Sequence, residues 1–263
     1  MKMRIPLTLF LVILSLFAYA NEEHHAAPPA EASTHETTKT PPPVAPPATE
    51  HATKKEAAHS EHKRESGPVK PEQSLGWLKN GNARFTQHRL RRDGTTKNDL
   101  LKLSTGQKPH AIVLSCSDSR VPPEVVFDQK LGEIFVVRTA GQSLDFAGIA
   151  SIEYAVSHLG TNLIVVMGHE SCGAVKAALG TLKGGDAGSV WLNQLVKDLH
   201  PRLKRFTDLS PTEGVLTESW VNVEGATKDL LEKSEIVRRL VESGEVKVEK
   251  ALYHLGSGEV EWR

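Results

Sequence analysis

The chain has 263 residues, room for one large domain or two small ones. Lysine plus arginine and aspartate plus glutamate number 32 each, so overall charge gives no reason to expect nucleic acid or an anionic membrane surface as a partner. The two cysteines, Cys116 and Cys172, exclude a disulfide-stapled scaffold and leave one possible bridge or a pair with chemical work.

Residues 1–20 begin with Lys2 and Arg4, continue as an apolar run from Ile5 to Phe17, and end Ala18-Tyr19-Ala20. That pattern predicts a cleavable signal peptide, because the run is short of the ~20 residues a spanning helix needs and the ending fits the small-residue cleavage rule. Cleavage after Ala20 would leave Asn21 first, with no cysteine to carry a lipid, and a soluble periplasmic or secreted protein. From Asn21 to Pro71 the only large aliphatic residues are Val44 and Val69, while nine of the 15 prolines fall here. The expectation is a disordered tether, since so little apolar surface cannot offset the entropy of ordering. It also holds His24, His25, His35, His51, His59 and His62, half of the 12 histidines. Their spacing is irregular, which suits a solvated linker better than a metal trap.

The remainder, 72–263, should fold. Leu75, Leu78 and Phe85 recur at helical intervals and predict an amphipathic arm that must cover some surface, here expected to be a neighbouring subunit. Residues 111–115 and 133–137 have the composition of buried strands. Ile152, Ala155, Val156 and Leu159 fit one helix face, 162–168 a further buried strand, and 174–182 a helix. Leu192, Leu195, Val196 and Leu199 mark another helix, residues 220–241 one or two more, and the chain closes on a hairpin around Gly256-Ser257-Gly258. The predicted class is α/β: a mostly parallel central sheet with helices on both faces, an N-terminal helical arm and a C-terminal hairpin.

In such sheets ligands bind beyond the carboxyl ends of the strands, and both cysteines fall there. Cys116 follows the first strand within Cys116-Ser117-Asp118-Ser119-Arg120. His169 and Cys172 follow the 162–168 strand at a turn into a helix. Two thiols and an imidazole make the three-ligand pattern of a catalytic zinc with one open position. Unrelated core cysteines or a disulfide are the alternatives. Both leave Asp118, Arg120 and His169 without a purpose.

These two motifs, CSDSR and HxxCG, together with 121–138 after the first and Ser151–Val156 before the second, resemble the β-class carbonic anhydrases over roughly 72–263. The resemblance implies reversible hydration of carbon dioxide to bicarbonate and a proton, catalysed by hydroxide on a zinc ion. It implies one Zn2+ per chain on Cys116, His169 and Cys172, with Asp118 and Arg120 as the catalytic dyad beside the open position. Gln107 and the amide of Gly173 are implied as substrate-binding groups, and a homodimer or dimer of dimers as the assembly. Two departures stand out. Arg138-Thr139-Ala140-Gly141-Gln142 replaces a turn the family often writes with asparagines, so the turn should persist with different hydrogen bonds. Val113 stands where some members have the tryptophan of a bicarbonate-inhibition site, although Arg138 and Tyr253 match its other two residues. That favours the plant-like, water-bound form. His110 and His158 are proton-shuttle candidates by residue type alone. The rival readings are a carbonyl sulfide or carbon disulfide hydrolase on the same fold, a zinc-storing or zinc-sensing protein using the histidine-rich segment, and a thiol redox protein. The zinc-storing reading has no use for Asp118 and Arg120, and the redox reading lacks a C-x-x-C arrangement and needs the thiols to pair without metal.

Overall fold

The computed structural model describes residue 67 and residues 69–263; the expected signal peptide and nearly all of the tether lie outside the described residues. Contact with the fold starts slightly before residue 72. The Asn162 side chain donates to the Val69 carbonyl (2.8 Å), and Gly67 lies so close to Gly160 that a Cβ there would stand 2.7 Å from its carbonyl oxygen. One hydrogen bond and one missing side chain thus draw the last residues assigned to the tether onto the domain.

Helix α1, Pro71–Thr86, starts with a proline in its first turn, where no intrahelical amide bond is lost. Its apolar face does not wait for a neighbour. Leu78 is fully buried, and Leu75 and Phe85 pack on the same cluster, against Val113, Val165 and Phe127 of their own chain. The expectation of a subunit contact through this face is therefore corrected: the nearest apolar surface is the chain's own sheet. Gly81 permits the close approach, since a Cβ there would sit 1.7 Å from the Phe127 carbonyl oxygen. The Asn82 side chain donates to Val126 O (3.1 Å) and Gly258 O (2.8 Å) and accepts from Val260 N (3.0 Å), tying α1 to the C-terminal turn. Leu78→Ala should cost about 2–5 kcal/mol of stability, read as a lower midpoint in chemical denaturation.

After the capped helix α2, Lys97–Leu103, come strand β1, Ala111–Ser115, the short helix α3, Pro123–Val126, and β2, Ile134–Arg138. Helix α4, Phe146–Ser157, leads to β3, Leu163–His169; Leu159 packs from the turn beyond α4 rather than from the helix. Helices α5, Gly173–Gly180, and α6, Val190–Leu203, follow. The 220–241 segment is two helices, α7, Leu216–Lys233, and α8, Glu235–Glu242. They divide at Ser234, whose hydroxyl accepts from Val237 N and donates to Glu153. Strands β4, Lys247–Tyr253, and β5, Val260–Trp262, form the expected hairpin.

The sheet order is β2-β1-β3-β4-β5, parallel except for β5. Alternate residues of β1 and β3 feed two cores. Val113 and Val165 face α1, while Ile112, Leu114, Ile164 and Val166 face α4, α7 and α8. Both strands are buried along their whole length. In β2 only Val137 is buried, because the strand is the sheet's edge; its expected full burial does not occur. The chain places β2 on one side of β1 and then crosses to place β3 on the other. That makes the carboxyl ends of β1 and β3 a topological switch point, where crevices form in open α/β sheets. Among the described residues no helix is long and apolar enough to cross a membrane.

Candidate metal centre

Register brings the two motifs together. Ser115 pairs with Met167, so Cys116, the next residue along β1, comes level with the last turn of β3 before His169. The ligand atoms of Cys116, His169 and Cys172 all lie within 4.8 Å of one another, and all three residues are buried. A tetrahedral zinc with bonds of ~2.0–2.3 Å needs donor atoms about 3.5–4 Å apart, so a small contraction suffices.

The donor set fits that ion. His169 Nδ1 donates to the Glu170 carbonyl (2.8 Å), which leaves Nε2 with its lone pair, buried and without a hydrogen-bond partner. Binding a metal through Nε2 while Nδ1 is fixed by a carbonyl is the usual orientation of a ligating histidine. The two thiols lie side by side in the interior and shift each other in opposite directions. The Cys172 S–H bond to Cys116 pulls Cys116 down to about 4, and that neighbouring thiolate, with burial, pushes Cys172 up. A buried thiolate beside an unpartnered imidazole nitrogen suits a cation. Neither cysteine forms a disulfide.

The loops around the site are held by main-chain bonds. Ser171, between the two later ligands, has φ of 55° and donates its amide to Gly214 O (2.5 Å). Arg138, at the end of β2, donates Nε to Cys116 O (3.0 Å) and Nη2 to Asp118 O (2.7 Å). The Gly141 amide points at Cys116 Sγ (3.4 Å). The turn expected from Thr139-Ala140-Gly141-Gln142 is present, with φ of 63° at Gly141. A Cβ at Gly141 would meet Leu199 at 2.7 Å and Ala174 at 2.9 Å, so the close approach needs glycine. The sequence reading of Arg138 as an inhibitory-site match and of Gly141 as part of a turn does not include this bracing of Cys116. The hint was their place at the carboxyl end of β2, beside Cys116.

Asp118 and Arg120 form a fork: Nε reaches Oδ1 (2.9 Å), Nη2 reaches Oδ2 (2.7 Å), and the Arg120 amide adds a bond to Oδ1 (3.0 Å). These bonds hold the Asp118 carboxyl far below the usual carboxylate range. Its Oδ2 lies 3.8 Å from His169 Nε2, so the dyad borders the metal position. Gly173 opens α5 with empty space where a Cβ would be.

Gln107 is elsewhere. It precedes β1 and lines a surface hollow with Trp77, His110 and Leu131, whereas Cys116 follows β1. A five-residue strand of about 16 Å separates the two ends. Both histidine candidates also lie at that far end. His110 is buried between Ser74 Oγ (2.7 Å) and Gln129 Oε1 (2.9 Å), and His158 follows α4, stacked on Tyr154. Val113 and Tyr253 share a buried core, and the Arg138 guanidinium is committed to the two carbonyls above.

A family model described as carbonic anhydrase matches residues 111–260. A tetrameric β-carbonic anhydrase structure from Sordaria macrospora aligns with TM-score 0.57 and 26% identity over 73% of this chain and 95% of that one. The chain belongs to the β-carbonic anhydrases. This β-carbonic anhydrase is 39% identical to a carbonic anhydrase of Mycolicibacterium smegmatis over 71% of its own length and 90% of the relative's. It is 37% identical to carbonic anhydrase 2 of Mycobacterium tuberculosis over 69% and 87%. A Coccomyxa β-carbonic anhydrase crystallised with acetazolamide superposes with TM-score 0.56 at 27% identity, over 72% of this chain and 85% of that one. The reaction of this β-carbonic anhydrase is the reversible hydration of carbon dioxide, and its metal is zinc; Cys116, His169 and Cys172 form a cluster able to hold such an ion.

Proposed function

We propose that the enzyme works in an open form, with Asp118 held off the metal by Arg120 and the substrate pocket completed by a second copy of the chain. The observation that carries this reading is the two-pronged bond between Arg120 and Asp118. Zinc supplies, when bound, the Lewis acidity that lets water ionise near neutral pH. The chain supplies the rest. Asp118, fixed as an ionised acceptor, takes the hydrogen bond of the attacking water and turns its lone pair toward carbon dioxide. Arg120 keeps that acceptor charged and oriented. The Gly173 amide, in the first turn of α5, donates to the developing bicarbonate. The burial of Val113 with Tyr253, and the commitment of Arg138 to carbonyls, argue against a bicarbonate-inhibition pocket.

Gln107 cannot reach its own Cys116, so its substrate-binding role belongs to the site of a partner copy. The exposed edge of β2, where Phe135 lies beside the half-exposed Tyr154, offers such a copy a surface, and the Sordaria macrospora relative is tetrameric. Subunit mixing tests the arrangement. Gln107→Ala and Cys172→Ser, each poorly active alone, should on dissociation and random remixing recover about a quarter of the wild-type activity, because half the dimers then hold one intact site of two. No recovery, with mixed dimers demonstrated, would show that Gln107 does not act in the partner's site. Residues 1–20 support export to the periplasm or beyond, and the apolar-poor residues 21–66 support a solvated tether between cleavage point and enzyme.

A further inference from the structure

The Cys116 sulfur is not held by its own loop alone. Gly141, whose amide faces that sulfur, sits in a turn with two successive left-handed residues, and the second, Gln142 with φ of 53°, is not glycine. A non-glycine residue persists there only where its surroundings hold it. Both residues are clamped from above by α6 and α7. Asn222 Nδ2, on α7, donates to Gly141 O (2.8 Å) and to Gln142 Oε1 (3.0 Å). Arg202 Nη1, on α6, donates to Gln142 O (3.1 Å) and to Asn222 Oδ1 (3.2 Å). Arg202 Nε is anchored by Asp229 (2.7 Å), one helical stretch along α7 from Asn222. Asn222 and Gln142 are essentially inaccessible to water, so each bond is made in a low-dielectric interior.

We propose that Asn222, oriented by Arg202 and Asp229, is a positioning residue for the zinc site: it fixes the Gly141 amide on Cys116 Sγ and so sets how tightly that sulfur grips the metal. The amide bond fixes the direction of the sulfur lone pairs, and groups that orient metal ligands carry much of a site's affinity. The inference rests on the zinc reading above and extends it to residues of α6 and α7 that lie 30 to 57 positions beyond the nearest ligand, Cys172.

The test uses cobalt as a spectroscopic substitute in the full-length enzyme, measuring the thiolate-to-cobalt charge-transfer band and the metal affinity by chelator competition. Asn222→Asp keeps the side-chain volume and the acceptor for Arg202 but removes both donated bonds. It should move the band and weaken metal binding about 10–100-fold. Asp229→Asn, at a partly exposed position, should shift both in the same direction by less. A folded Asn222→Asp enzyme with the wild-type band and affinity within twofold overturns the inference. If that variant fails to fold, an unchanged band in Asp229→Asn overturns it instead. A wild-type enzyme with no thiolate band at all refutes the metal reading, and this inference with it.

Discussion

Cys172→Ser should yield protein that purifies without stoichiometric zinc and hydrates carbon dioxide no faster than buffer. A serine hydroxyl stays protonated near neutral pH and is a poor zinc ligand, so the site loses one of three protein donors. The loss should exceed the about 10–100-fold that changes outside the ligand set cause. Cys172 also acts on its neighbour, because a bond from its thiol is the largest influence lowering Cys116. The substitution therefore removes a ligand and the neighbour that acidifies the other thiol. Since Cys172 is pushed up by that same neighbour, loading the wild-type enzyme must release its proton, and zinc uptake should weaken as pH falls. Metal analysis by atomic emission and a stopped-flow hydration assay check the result, and one zinc per chain in the variant would show the ligand set to be wrong.

The second large effect is expected at Asp118. Asp118→Asn should retain zinc but lose about 10²–10³-fold in kcat/KM, the scale on which one preorganised polar group matters at a reacting centre. The comparison with Arg120→Ala separates charge from orientation. Arg120 lowers the folded pKa of Asp118, so the stability it contributes is fully present above the ordinary carboxylate value of about 3.9 and is lost as pH falls through the folded value. Without Arg120 the carboxyl returns toward that ordinary value, which still leaves it ionised at pH 7. Any activity Arg120→Ala loses at neutral pH must then come from a misdirected acceptor, a loss of up to about 10². Its pH profile between 6 and 9 should keep the wild-type shape. A new acid limb in that range would mean that Arg120 acts by holding a proton off Asp118.

Much of the centre was legible because the chemistry is concentrated in two short motifs. Cys116, Asp118 and Arg120 lie within five residues, His169 and Cys172 within four, and each group follows an apolar run whose only stable setting is a buried strand. What was illegible depends on distance in space. The clamp of Asn222 and Arg202 on Gly141 joins three segments that no local pattern relates. Gln107 was assigned by resemblance, and only the direction of β1 shows that it cannot serve its own chain. The face of α1 was judged correctly as apolar and wrongly as intermolecular, because periodicity reports that a surface must be covered without naming what covers it. Strand β2 carries the same run of apolar residues as β1 and β3, and nothing in that run marks it as the edge.

Asn82 imposes an order on how the chain can be completed. Beyond its bond to Val126, its side chain is completed by Gly258 and Val260, the farther of them 178 positions later. During synthesis at ~5–20 residues per second, α1 would emerge about 10–35 s before the turn that locks it, with two of the Asn82 bonds unmade meanwhile. Such a pairing of first and last elements makes folding a late event. If residues 1–20 serve as the export sequence proposed above, that delay is useful: a polypeptide that cannot close on itself early remains threadable.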